Sequence, residues 1–242
     1  MATQTLGVGR FCNQLFRNIA VSLIAEKCDL MVNYVSHDLI NLLGIYLYTK
    51  GTKIYNKTIP LTDANYMDMY NNPQNIIYNL DPNNDFFQTR EISLLIYKYI
   101  HSQSENIIYL NPFKDRYLMN NDVCIHVRLT DASRHNPGLN YYINTLSRIT
   151  YNNIYITTDE PRHPIICNIL EKYPDAKIIV LDTIKTLQFA STCKHVILSH
   201  GSFSATIGYL SYYSNVYYPK YDANHIWYGD MFSIDGWNIG NS

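Results

Sequence analysis

Along the second half of the chain, short apolar runs alternate with segments whose apolar positions recur at helical spacing. The runs predict strands at 123–128, 154–156, 177–181, 196–198 and 216–218, and the periodic segments predict helices at 139–149, 164–173, 184–193 and 203–213. Repeated strand-helix units of this kind define an α/β protein with a parallel sheet and right-handed crossovers. The run Val123-Cys124-Ile125-His126-Val127 does not alternate with polar residues, so it reads as a strand covered on both faces.

The first half is less regular. Thr5 to Arg10 looks like a short strand turning through Gly7 and Gly9 into a helix, whose apolar positions Leu15, Phe16, Ile19, Ala20, Leu23 and Ile24 share one face up to about Lys27. Leu30 to Val35 suggests a second strand. Ser36 then reads as the cap of a helix with Leu39, Ile40, Leu43, Tyr46 and Leu47 on its apolar side. Residues 51–84, rich in Pro, Asn and Asp, read as loops around a strand at Ile76-Ile77-Tyr78, and Phe86 to His101 as a helix with Ile92, Leu95, Ile96 and Tyr99 facing a core. A break between two lobes is expected within 102–120, giving 1–115 and 116–242. The tail after Pro219, with Trp227 and Trp237, is expected to return towards the first lobe, and its His225, Asp230 and Asp235 are read as surface residues.

Ligands of parallel sheets sit at the carboxyl ends of the strands, and four strands end here on polar groups. These are His126 and Arg128, Thr158 and Asp159, Asp182 and Thr183, and Ser199, His200 and Gly201. Two ordinary readings stand beside a site: Arg128 pairs with Asp131, and Ser202 merely caps the helix that follows Gly201. For the turn at Gly7 and Gly9, a dinucleotide fingerprint fails because Cys12 occupies the third glycine position, and a P-loop lacks its Gly-Lys-Ser/Thr. A purely structural turn leaves Asn13-Gln14 at the helix start unexplained.

With 242 residues the chain is long enough to bury about 70–75 % of its unfolded surface without disulfide staples. Cys12, Cys28, Cys124, Cys167 and Cys193 form neither a zinc pattern nor a disulfide framework, which favours a reducing compartment. With no leader-like start and no membrane span, a soluble cytoplasmic protein is expected. A net charge of −1 with 16 % charged residues argues against nucleic acid as a partner, and the 23 tyrosines accompany abundant Asn and Ile in the manner of codon bias.

Three segments in order resemble the superfamily of α1,2-, α1,6- and protein O-fucosyltransferases. Gly9-Arg10-Phe11-Cys12-Asn13-Gln14-Leu15-Phe16 looks like its N-terminal glycine turn. His126-Val127-Arg128-Leu129-Thr130-Asp131 is similar to its His-x-Arg-Arg-x-Asp motif, with Leu129 in place of the second arginine. Cys193-Lys194-His195-Val196-Ile197-Leu198-Ser199-His200-Gly201-Ser202-Phe203-Ser204 is similar to its α1,2 motif, with His200 and Gly201 in place of Asn and Ser.

The resemblance implies a GT-B-like enzyme of two Rossmann-like lobes with a cleft between them. It further implies inverting transfer of fucose from GDP-fucose without a metal or other cofactor, and no Asp-x-Asp pair occurs in the chain. The C-terminal lobe would bind the nucleotide sugar, and the N-terminal lobe a glycan or glycoconjugate acceptor. By the same resemblance Arg128 would grip the diphosphate, His126 would bond diphosphate or ribose, and Asp131 would orient the loop. Ser202, Phe203 and Ser204 would cradle phosphate, Asp159 or Asp182 would accept from guanine, and Gly9 and Asn13 would face the donor sugar from the first lobe. Two other classes remain open: a glycan- or nucleotide-binding module without transfer, and a Rossmann-type oxidoreductase.

Overall fold

The computed structural model describes residues 2–131, 133–220 and 229–241, so His225 and Trp227 lie outside the described residues. The chain divides into two compact units, Met1–Ile107 and Ile108–Ser242.

The first unit runs β1 (Thr3–Gln4), α1 (Phe11–Cys28), β2 (Val32–Asn33), α2 (His37–Leu42), β3 (Thr58–Pro60), α3 (Tyr66–Asn71), β4 (Asn79–Asp81) and α4 (Arg90–His101), and α5 (Ser104–Leu110) continues the chain into the second. Its strands pair in parallel as β1 with β2 and β3 with β4. Side chains stitch the pairs together: the Thr3 hydroxyl accepts from Leu80 N–H, and Asn83 both accepts from Leu6 N–H and donates to the Gln4 carbonyl. Around these strands α1 is buried on nearly every side, including Arg17, Asn18 and Ser22, where sequence periodicity gave it a single apolar face.

Three local expectations fail for physical reasons. Ser36 adopts φ 53° and its hydroxyl donates to Gln14 Oε1 rather than capping α2, which ends at Leu42 before Gly44 at φ 81°. Leu39 and Tyr46 are therefore exposed. The strand expected at 76–78 starts only at Asn79, where Asn79 N–H bonds the Lys57 carbonyl, and α4 begins at Arg90 because Thr89 caps it by accepting from Ile92 N–H.

The second unit holds, among the described residues, a six-stranded parallel sheet. It runs β5 (Val123–Val127), α6 (Leu139–Leu146), β6 (Ile154–Thr158), α7 (Pro164–Lys172), β7 (Lys177–Ile178), α8 (Thr183–Ala190), β8 (His195–Ile197), α9 (Ser202–Tyr209), β9 (Asn215–Tyr218) and β10 (Asn238–Ile239). The order β10-β9-β8-β5-β6-β7 puts β5 at the centre, which is why its apolar run shows no alternation: every residue of it is buried. Val123, Ile125, Val127 and Leu129 pack with Tyr141, Tyr142 and Ile166 on one face, each full burial contributing about 1.5–3 kcal/mol. The described tail joins this unit: β10 pairs with β9, Trp237 lies against Tyr209 and Tyr218, and Tyr209 Oη donates to the Met231 carbonyl. No helix among the described residues is long and apolar enough to cross a membrane.

Candidate active site

Numbered within its own unit, the second sheet's order reverses between β5 and β8, since the chain proceeds from β5 to β6 and β7 on one side and returns to β8 and β9 on the other. Loops leaving two such strands diverge and open a crevice at their carboxyl ends, where ligands of open α/β sheets bind. Strand alternation then sorts the side chains. Val127 and Leu129 point into the core on one face, and His126 is turned to the opposite face, towards α9. Leu129, next along the core face, is 2 % exposed.

Arg128 lies just past β5 and is held between two carboxylates. Its Nη1 is 3.1 Å from Asp159 Oδ2, and its Nη2 pairs with Asp131 Oδ1. Asp159, just past β6, also accepts from Leu129 N–H at 2.8 Å, Thr130 N–H at 3.4 Å and the Thr130 hydroxyl at 2.5 Å. Burial opposes its ionisation, but the Thr130 hydroxyl, Leu129 N–H and Arg128 outweigh it and hold the carboxyl below its ordinary range. Behind this cluster Asn136 donates to the Arg128 carbonyl and to Tyr142 Oη, and accepts from Gly138 N–H. Asn136-Pro137-Gly138 is turn chemistry that was legible in the sequence but was not singled out there.

Across the crevice, Gly201 precedes α9 at φ 93°, a conformation suited to glycine, and no side chain caps the helix. Ser202 is thus the first helical residue rather than the cap. Ser204 is fully buried: its hydroxyl accepts from Ser199 N–H at 3.0 Å and meets His126 Nδ1 at 2.5 Å. Burial drives the His126 pKa down to about 3, so the ring is neutral and Phe203 packs beside it at 5.0 Å between centroids. His200, which lies against Phe232, is likewise lowered, to about 4, by burial and by the nearby His135.

Asp182 stands apart from these groups. It caps α8 by accepting from Lys185 N–H at 2.8 Å and pairs with Lys185 Nζ at 3.5 Å; the bond to Lys185 N–H, chiefly, lowers its pKa.

In the first unit, the ends of β1, β3 and β4 carry a second polar cluster. Arg17, 0 % exposed, donates to the carbonyls of Leu6, Val8, Pro82 and Asp85 and thereby ties the glycine turn to the loop before α4. Gly9 adopts φ 80°, and a Cβ there would meet Asn13 at 3.0 Å and Phe86 at 3.1 Å. Asn13 Oδ1 accepts from Gln88 Nε2 at 3.0 Å, and Gln14 Nε2 donates to the Gly9 carbonyl at 2.8 Å. Asp63 N–H donates to Asp85 Oδ2 at 2.9 Å.

Burial, and then the Asp85 carboxylate, pushes Asp63 up from 3.8 to about 6. Its folded pKa exceeds the unfolded one, so the folded state binds the proton more tightly, and this carboxyl lowers stability as pH rises from 3.8 to about 6. Asp63→Asn is expected to raise the melting temperature at pH 7 and to lose that advantage towards pH 4. A constant difference between variant and wild type across this window would refute the assignment.

Of the residues singled out in the sequence, His126, Arg128, Asp131, Asp159, Ser202, Phe203 and Ser204 gather at the strand-order reversal, Asp182 caps α8, and Gly9 and Asn13 meet in the first unit. Arg17, Asp63, Asp85 and Asn136 are additions that sequence reasoning missed. Among the described residues no group of three or more His, Cys, Asp or Glu side chains is arranged to hold a metal. No family model matches the sequence, and no curated protein matches it. Among solved structures the chain is similar to a crystal structure of POFUT1 in complex with GDP, with a TM-score of 0.49 and 12 % identity, over 89 % of this chain and 97 % of that one.

Proposed function

We propose that this chain is a cytoplasmic, inverting, metal-independent glycosyltransferase of the GT-B type that moves fucose from GDP-fucose to a hydroxyl of a glycan or glycoconjugate. The observation that carries the reading is the gathering of His126, Arg128 and the uncapped start of α9 at the strand-order reversal. In the transfer the acceptor oxygen attacks the anomeric carbon, the bond to the diphosphate oxygen breaks, GDP departs with the electron pair, and the acceptor hydroxyl's proton passes to water. Charge grows on the departing phosphate, and Arg128 supplies a cation beside it. Each charge-assisted bond from its guanidinium contributes about 1.5–3 kcal/mol. Neutral His126 adds the Nε2 of its ring as a hydrogen-bonding group, and Ser202 with the amides of α9 adds the positive end of a helix.

Asp159 or Asp182 accepts from the guanine edge, each by exchanging one of the bonds that its carboxylate makes within the protein.

Thermal stability against ligands tests the reading, because a ligand bound only by the folded state raises the midpoint. GDP and GDP-fucose are expected to raise it equally in EDTA and in Mn²⁺, and UDP-sugars and NAD to leave it unmoved. Stabilisation only by UDP-sugars, or only with metal, would overturn the donor assignment. Binding of GDP with neither hydrolysis nor transfer across a broad acceptor panel would instead make the chain a binding module.

A further inference from the structure

We infer that Arg128 takes up a diphosphate by exchanging one carboxylate for it, with Asp131 the place-holder that leaves and Asp159 the fixed partner that stays. The inference rests on the donor reading of this site and deepens it. Both terminal nitrogens of the guanidinium face carboxylates, so the pair of acids leaves the cluster with a net charge of about −1. A diphosphate approaching that cluster is repelled unless one acid withdraws.

The two acids differ in what withdrawal costs. Asp159 is 20 % exposed and accepts from Leu129 N–H, Thr130 N–H and, at 2.5 Å, the Thr130 hydroxyl, so moving it would strand two backbone donors and the hydroxyl's shorter bond. The Asp131 side chain is 51 % exposed, accepts besides from the Thr130 hydroxyl at the longer distance of 3.4 Å, and regains water when it turns outward. An exposed ion pair is cheap to break, and a phosphate brings more charge to the same edge of the fork. Asp159, remaining behind, keeps Arg128 oriented before the ligand arrives, so less ordering is left for binding to supply. Asp159 is in this sense a positioning residue, and its loss should be felt only by ligands that carry phosphate.

Calorimetric titration of the full chain with GDP and with guanosine, for wild type, Asp131→Asn and Asp159→Asn, tests the exchange. Asp131→Asn should bind GDP about two- to fivefold more tightly, the span an exposed ion pair covers. Asp159→Asn should weaken GDP by at least about tenfold, the cost of leaving a charged donor without its partner. Guanosine should bind all three proteins alike. Weaker GDP binding by Asp131→Asn, or a loss in Asp159→Asn shared by GDP and guanosine, would overturn the exchange. Should Asp159→Asn misfold, Asp131→Asn, altered at an exposed side chain, decides alone. If no protein binds either ligand, the donor reading falls with it; if wild type binds GDP and the variants rank the other way, the exchange alone falls.

Discussion

Arg128→Ala is expected to lower kcat/KM for sugar transfer by at least about a hundredfold, the effect of removing one preorganised group that stabilises developing charge. The fold should survive. Asp159 keeps its bonds to Leu129 and Thr130, Asp131 is already half in water, and β5 is anchored by the buried residues behind it rather than by the guanidinium. Initial rates with GDP-fucose beside a thermal melt separate the two effects, and near-normal rates in a folded variant would remove Arg128 from the mechanism. Arg128→Lys should recover only part of the loss, because an ammonium is a point charge and cannot meet two oxygens in one plane.

The largest effect on stability is expected at Arg17. Alanine there leaves the carbonyls of Leu6, Val8, Pro82 and Asp85 without their donor and opens a cavity beneath the glycine turn. Burial already lowers the Arg17 pKa, with Asp81 offsetting part of that, so the side chain is retained for its fan of donors rather than for an ion pair. Unsatisfied buried acceptors cost about 1–3 kcal/mol each, and partial relaxation brings the expected loss to roughly 3–5 kcal/mol. Arg17→Met, which restores volume but no donor, should recover only the cavity part. Urea unfolding followed by circular dichroism measures both, and a loss below about 1 kcal/mol for alanine would mean that water satisfies the carbonyls.

What the sequence made legible follows from where the physics is local. The second unit's strands and helices announce themselves because a buried parallel strand and an amphipathic helix leave distinct periods, and β5 with its charged end was read from one run of residues. The gathering of His126 with Ser204 was legible only as two motifs, since their contact spans 78 positions. Arg17 was missed because a helix buried on most sides has no polar face to mark, and a lone arginine within it looks like surface. Ser36 misled because a serine before an apolar stretch is the usual helix-cap signal, whereas here its hydroxyl serves Gln14. The short strands of the first unit, stitched by Thr3 and Asn83 rather than by one continuous ladder, leave almost no period at all.

The central place of β5 also governs when the site comes into being. On one side β5 pairs with β6, its neighbour in sequence, but on the other it must wait for β8 and for Ser204 at the start of α9. Contacts between such distant segments form late, because closing the intervening loop costs entropy before any bond repays it. On the ribosome the His126 side of the crevice therefore emerges well before its partner. A chain cut short before α9 would keep four of the six strands, β5 to β8, and would lack the serine that His126 meets.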